Sequence, residues 1–247
     1  MQGAAAVRYS HCQISRFRNL PQIDNKSSIS FIIPTLNEES HLPSTLASIQ
    51  KQPGDHQIII ADARSKDATP AIAKSHDTDF ITSPQGRGIQ LNAGATLARH
   101  NYLCFLHADT QLPAGASASI MQVLSDPSTI AGSFPLQFDQ DKALYRFYAA
   151  CSRINHTLFT YGDQALFLRA QDYKTLGGYR NFPFLEDIEI QRRLRKFGRF
   201  KKSRLCVTTS ARRFERIGPL RQQLRNIAIV AAYLLGLSPK TLSLYYR

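Results

Sequence analysis

The sequence predicts an α/β fold, a mostly parallel central sheet flanked by helices, and three observations lead to it. Short apolar, β-branched segments alternate with stretches of helical spacing, and right-handed crossovers make such strands parallel neighbours. The strand segments are mostly apolar, as buried strands are. Polar residues then gather where these strands stop, at Asn37 and Glu38, at Asp62, and at His107 and Asp109. That edge of an open α/β sheet is where ligands bind.

Ile29–Pro34 reads as a buried strand, and Leu42, Leu46 and Ile49 give Glu39–Lys51 helical spacing. Gln57–Ala61 is the second strand and runs into Asp62. A helix over residues 69–75 leads to a short strand at Phe80-Ile81-Thr82. Gly88–Arg99 is an Ala-rich helix and Tyr102–Leu106 the fourth strand, while Pro113 suits the first turn of a helix reaching Leu124. Beyond Ile130–Phe138 the pattern changes to a helix near Leu144–Leu158, a turn at Gly162, a strand at Ala165–Leu168 and a helix at Asp187–Phe197. These elaborate the same sheet. Residues 1–27 are polar and poorly patterned and are expected to form an unstructured leader. With no repeat or low-complexity linker, residues 28–247 are expected to form one domain with a basic, helical C-terminal region.

A chain of 247 residues can bury a sizeable core, and 43% hydrophobic residues mark a globular chain rather than a disordered one. Cys12, Cys104, Cys151 and Cys206 are scattered without a CxxC pair, so they are expected to be reduced and structural, in a cytoplasmic setting. The net charge of +13 is concentrated: from Arg192 to Arg225, thirteen Lys and Arg face one acid, Glu215. A single-sign cluster this dense points to an anionic partner: nucleic acid, anionic lipid or a phosphorylated substrate. Arg8, His11, Arg16 and Arg18 interrupt the N-terminus, which therefore lacks a secretory apolar region. The longest apolar run, Ile227–Leu237, falls short of the roughly 20 residues that span a bilayer and reads as a core or interfacial helix.

The chemistry lies at the strand ends. Asn37 and Glu38, after Pro34, suit a helix N-terminus as well as a binding pocket. In Asp62-Ala63-Arg64-Ser65-Lys66-Asp67, two acids and a serine can hold a base and ribose, or form an Asx turn with Asp67 capping the next helix. Within Ser83–Gly94 two glycines flank Arg87 as a helix opens, so backbone N–H groups and a guanidinium favour a phosphate together. No GK[ST] follows, which excludes a Walker loop, and no GxGxxG follows the first strand, which speaks against a dinucleotide cofactor. In extended chain, residues i and i+2 point the same way, so His107 and Asp109 can face one divalent cation, Mg2+ or Mn2+, with the imidazole favouring Mn2+. Glu186 and Asp187 suit a helix start, and a carboxylate there can act as general base toward an acceptor hydroxyl. The upstream turn Tyr161-Gly162-Asp163-Gln164 is the candidate to hold that acceptor.

Taken in order, five stations resemble the motifs of a family 2 glycosyltransferase of the GT-A fold, over residues 29 to about 200. They are Ile32-Ile33-Pro34-Thr35-Leu36-Asn37-Glu38, Asp62 to Asp67, Arg87 to Gly94, His107-Ala108-Asp109, and Glu186-Asp187 with Arg192-Arg193-Leu194. His107-Ala108-Asp109, Tyr161-Gly162-Asp163-Gln164-Ala165 and Thr208-Thr209-Ser210-Ala211-Arg212-Arg213 also resemble a bacterial subgroup associated with arsenosugar biosynthesis. The resemblance implies a Rossmann-like GT-A sheet and an inverting, metal-dependent transfer of a hexosyl-type sugar from a nucleotide-sugar donor to an acceptor hydroxyl. It implies that Asp62 contacts the nucleotide base, that Pro34, Asn37, Glu38 and Ala108 line the donor pocket, and that Arg87 approaches the diphosphate. Asp109, with His107, would bind Mn2+ or Mg2+, and Asp187, beside Glu186, would be the catalytic base. Two departures stand out. His107 replaces an acid found in many relatives, and Ala63-Arg64 replace the small Gly/Asp residues usual after the first aspartate.

The basic region and an Arg225–Leu237 helix can seat the protein peripherally on an anionic membrane, on the inner face of the cell membrane. Alternatively, Arg212, Arg213 and Arg216 can bind the donor diphosphate or an anionic acceptor. Two rival readings are a nucleic-acid-binding module and a nucleotidyltransferase. The first lacks any helix-turn-helix, RNP or zinc-finger pattern, so no nucleic acid partner is expected. The second has no need of the Glu186-Asp187 station.

Overall fold

The computed structural model describes residues 28–212, 215 and 218–243. The first half runs β1 (Ile29–Thr35), α1 (Leu42–Gln50), β2 (Gln57–Asp62), α2 (Thr69–Ser75), β3 (Asp79–Thr82), α3 (Arg87–Thr96), β4 (Tyr102–Phe105), β5 (Thr110–Gln111) and α4 (Ala116–Leu124). Then follow β6 (Thr129–Ser133), β7 (Leu136–Phe138), α5 (Ala143–Ser152), β8 (Leu166–Arg169), α6 (Ala170–Leu176), α7 (Glu186–Phe197), β9 (Arg199–Lys202), β10 (Val207–Thr209), α8 (Pro219–Leu234) and α9 (Pro239–Ser243).

Seven strands make the central sheet in the order β3-β2-β1-β4-β8-β6-β9. Only β8 runs against its neighbours β4 and β6; the other pairings are parallel. Period-two alternation along β1 sends Phe31 and Ile33 into one apolar layer and Ile32 into the other, and all three are fully buried. Each such side chain contributes about 1.5–3 kcal/mol through burial. Helix α3 lies close on this sheet because Gly94 has no side chain: a Cβ there would come within 2.6 Å of Ile32 Cγ2. The crossovers bring the C-terminal ends of β1, β2 and β4 to one edge, and the loops after them carry the residues of interest.

Three predicted elements are redrawn. The stretch Ile130–Phe138 divides into β6 and β7 because Pro135 offers no N–H and the Phe134 N–H leaves the ladder for Gln164 O, at 2.8 Å. β7 then joins β5 and β10 in a separate three-stranded sheet. The helix expected over Leu144–Leu158 stops at Ser152, whose hydroxyl bonds back to Ala149 O and takes the Leu136 N–H of β7. Helix α1 begins at Leu42 rather than Glu39, with Pro43 in its first turn. No disulfide joins Cys104, Cys151 and Cys206, and Cys12 lies outside the described residues, as does the expected leader.

Candidate active site

The loops after β1 and β2 are tied into one platform. Asp62 ends β2 at 2% exposure, and its carboxylate accepts from Thr35 Oγ1 (2.8 Å), Ser65 N (2.8 Å) and Ser65 Oγ (2.6 Å). Asn37 donates its N–H to Ser65 Oγ and accepts from Lys66 N, while Glu38 N–H bonds Thr69 Oγ1. Pro34 stands opposite Ala61 in the ladder. Beneath them, Gln90 is buried and its Nε2 donates to both Thr35 O and Ala61 O, at 2.9 Å each, satisfying the carbonyls where two strands end. Asp62 thus shapes the loop with both carboxylate oxygens. Asn37 and Arg64 hold left-handed backbone (φ 56° and 62°), strain of the kind that collects at ligand-binding sites.

Beside this platform, a cleft is lined by Arg87, Leu91, Phe105, His107, Gly162, Tyr179, Glu186 and Asp187. Glu186 and Asp187 open α7, and Leu185 before them is a third strained residue (φ 63°). Glu186 is buried and pairs with Arg87 Nη1 at 3.1 Å. The Asp187 carboxylate accepts from Gly162 N at 2.6 Å and from Ile188 N at 2.8 Å. Burial pushes the Asp187 carboxyl up to about 6, the charge of Glu186 adds to the shift, and Arg87 opposes it. A carboxylate with such a value is poised to accept a proton near neutral pH. Gly162 sits between Asp187 and His107: a Cβ there would lie 3.0 Å from His107 Nε2 and 3.3 Å from Asp187 Oδ2.

His107 and Asp109 do not form the expected pair. The chain leaves extended geometry after Phe105, residues 108 and 109 turn, and Thr110 N–H bonds His107 O at 3.2 Å, so the i, i+2 argument does not apply. His107 faces the Asp187 cleft, whereas Asp109 is held by Arg212 Nη2 at 3.1 Å. The same Nη2 grips both oxygens of Glu38, at 2.6 and 2.7 Å, and Nη1 lies 3.2 Å from His41 Nδ1. Among the described residues no three His, Cys, Asp or Glu side chains come together to hold a metal ion. The side chains as placed do not fit a divalent cation. Ala108 is buried, and its carbonyl accepts from Thr45 Oγ1 at 2.8 Å.

The four acceptor candidates separate. Gly162 lines the cleft, and Tyr161 lies beside it with its phenol pushed up by burial and then by the nearby Asp187 charge. Asp163 helps to hold up the depressed amine of Lys202, which burial lowers to about 7. Gln164 is fully buried: its Nε2 donates to Phe159 O, its Oε1 accepts from Lys202 Nζ, and its carbonyl serves Phe134 N. Gln164 is part of the scaffold and cannot reach an acceptor. The basic run is likewise dispersed rather than gathered on one face. Arg193 pairs with buried Glu189 (2.6 Å), Arg195 lies over the Phe200 ring, Lys201 pairs with Asp126, and Arg212 enters the site. The arginines of α7 therefore do not all point outward, and Arg213 and Arg216 lie outside the described residues.

Thr35 and Gln90 hold the platform together and had no role of their own in the motif reading. Arg212 was a candidate for the donor diphosphate or an anionic acceptor, but nothing local marks it as the partner of Glu38 and Asp109, which are 174 and 103 residues away in sequence.

Comparison with known proteins decides the family. Residues 30–185 match the family described as glycosyl transferase family 2. The chain belongs to that family. A glycosyltransferase of Mycobacterium tuberculosis is 30% identical over 89 residues, covering 36% of this chain and 39% of its own. A PGL/p-HBAD biosynthesis glycosyltransferase from the same species is 38% identical over 96 residues, covering 34% and 36%. The matched region thus spans under two fifths of those relatives. Among solved structures, the mannosyltransferase PcManGT of Pyrobaculum calidifontis, in complex with GDP-Man and Mn2+, superposes with TM-score 0.62 at 20% identity, over 86% of this chain and 66% of the other. S. aureus TarS 1-349 with UDP-GlcNAc gives TM-score 0.59 at 14% identity, over 74% and 58%. These likenesses establish the GT-A fold for this family 2 glycosyltransferase.

Proposed function

We propose that this family 2 enzyme transfers a sugar from a nucleotide-sugar donor to an acceptor hydroxyl with inversion, Asp187 serving as the base. One observation carries this reading: a half-buried carboxylate raised to about 6, at a helix start, lines a cleft together with Arg87 and His107. In the proposed reaction the acceptor oxygen attacks the anomeric carbon, its proton passes to Asp187, and the glycosidic bond to the diphosphate breaks. A single displacement inverts the centre. Glu186 and Arg87 act as a pair, the carboxylate holding the guanidinium at the N-terminus of α3, where an anion is favoured. Asn37, Glu38 and the Asp62 loop would receive the nucleoside. The solved neighbours in complex with GDP-Man and UDP-GlcNAc support a nucleoside diphosphate donor without naming its base.

The neighbour in complex with Mn2+ is the argument for a divalent cation; here such an ion would bind at Asp109 and would have to displace Arg212. The narrower subgroup associated with arsenosugar biosynthesis rests on His107-Ala108-Asp109 and Thr208–Arg213 alone. Among the described residues no helix is long and apolar enough to cross a membrane. Peripheral attachment is proposed through α8, where Leu224 and Ile227 are exposed next to Arg221 and Arg225.

A donor panel tests the reading. UDP-, GDP-, CDP- and dTDP-sugars are screened for thermal stabilisation, and the preferred donor is followed by NMR for the anomeric configuration of the transferred sugar. One nucleotide class stabilising the protein, with an inverted product, supports the proposal; retention of configuration overturns it.

A further inference from the structure

We infer that Arg212 is the resident cation of the donor site and that the chain binds its nucleoside diphosphate without a divalent metal ion. The inference rests on the donor reading above and concerns its charge balance.

Glu38 follows β1 and Asp109 follows β4, neighbouring strands of the sheet, so their carboxylates converge at one edge. Two converging anions, 16% and 12% exposed, need a counter-charge. Arg212, from the segment after β10, supplies it. Its Nη2 lies within 3.1 Å of three carboxylate oxygens, and His41 occupies the Nη1 side at 3.2 Å. A divalent ion on Asp109 would need carboxylate oxygens at roughly 2.0–2.2 Å and would repel a guanidinium bonded to the same oxygens. Ion and arginine compete for one place. The other ligand proposed from sequence, His107, is turned to the Asp187 cleft, and the groups that do lie beside Asp109, Glu38 and His41, are engaged by Arg212.

The guanidinium can do more than fill the gap. It carries five N–H donors, and the bonds to Glu38, Asp109 and His41 involve only Nη1 and Nη2. With its side chain 35% exposed, Nε–H and the Nη1 hydrogen turned away from His41 can each give a phosphate oxygen a single charge-assisted hydrogen bond. Arg212 is a permanent positive charge where Glu38 and Asp109 converge, built into the chain for a diphosphate to meet.

The test is calorimetric, using the full-length chain with UDP and GDP as probes, each in EDTA and in MnCl2. The nucleotide that binds is expected to bind equally well in both. Arg212→Ala is expected to weaken it roughly ten- to a hundredfold in EDTA, with part of the loss recovered in MnCl2 because Glu38 and Asp109 are released. Should Arg212→Ala fail to fold, Asp109→Asn serves instead: it leaves Arg212 on Glu38, and binding in EDTA is expected to survive. Binding that requires MnCl2 in the wild type and disappears in Asp109→Asn overturns the inference while leaving the donor reading intact. Absence of nucleotide binding under every condition overturns both.

Discussion

Asp187→Asn separates catalytic from structural effects by their opposite signs. The Asp187 carboxyl is raised from 3.8 to about 6, first by burial and then by the charge of Glu186. A carboxyl whose folded value lies above its unfolded value destabilises the fold when ionised. The cost is absent below the unfolded value, grows as pH rises toward the folded one, and is complete above it. Two units correspond to roughly 3 kcal/mol at pH 8 and about half of that at pH 5. Asparagine is neutral throughout and keeps an oxygen for the Gly162 N–H; losing the contact with Ile188 N is a pH-independent cost. The stability of Asp187→Asn relative to wild type should therefore improve by about 1–2 kcal/mol between pH 5 and pH 8, a rise of a few degrees in Tm. Over the same range sugar transfer should fall by about two to four orders of magnitude, the usual contribution of a general base. Urea titrations at both pH values and a transfer assay read the two effects. A pH-independent stability difference would refute the assigned shift, and near-normal transfer by the Asn variant would refute the assigned role.

Wild-type transfer should rise with pH and level off above about 6 as Asp187 ionises, and a rate flat from pH 5 to 8 would count against it. Gly162→Ala places a methyl between His107 and Asp187 and should cut kcat roughly tenfold or more while the fold survives, as circular dichroism can check. Gln90→Leu removes the buried donor shared by the Thr35 and Ala61 carbonyls, leaving Thr35 O with the Ala63 N–H, and should cost about 1–3 kcal/mol in urea unfolding, with donor affinity lost as the platform loosens. Leu224→Glu with Ile227→Glu should abolish sedimentation with anionic liposomes without changing Tm; unchanged sedimentation would remove α8 as the attachment surface.

The parallel half of the fold was legible because buried parallel strands and amphipathic crossovers write their periods directly into the chain, as β1 through α4 do. Legibility ended where elements are short and defined by partners far away. β5 and β10 have two and three residues and exist only through distant pairing, with each other and, for β10, with β7. β9, Arg199-Phe200-Lys201-Lys202, reads as a charged helix end; it becomes a strand because Phe200 is buried and the backbone pairs with β6.

The candidate site divides along the same line. Asp187, Glu186 and Arg87 were readable because each sits at the start of a helix whose own pattern announces it. Asp62 was readable as an important carboxylate but not as a fully hydrogen-bonded one, since Thr35 and Ser65 engage it only once two loops have met. His107-Ala108-Asp109 shows the difference most sharply. The motif names two ligands by assuming extended chain, and a single turn after Phe105 sends one side chain toward Asp187 and the other toward Arg212. Charge balance then fixes what motif reading left open. Glu38 and Asp109 must share a cation, the chain carries thirteen candidates between Arg192 and Arg225, and the second sheet selects one of them by setting β10 beside β5, just after Asp109. A three-stranded sheet too short to predict thus decides which residue neutralises Glu38 and Asp109. For that reason the arginine, rather than the His-x-Asp motif, is the place to test the proposed binding of a diphosphate.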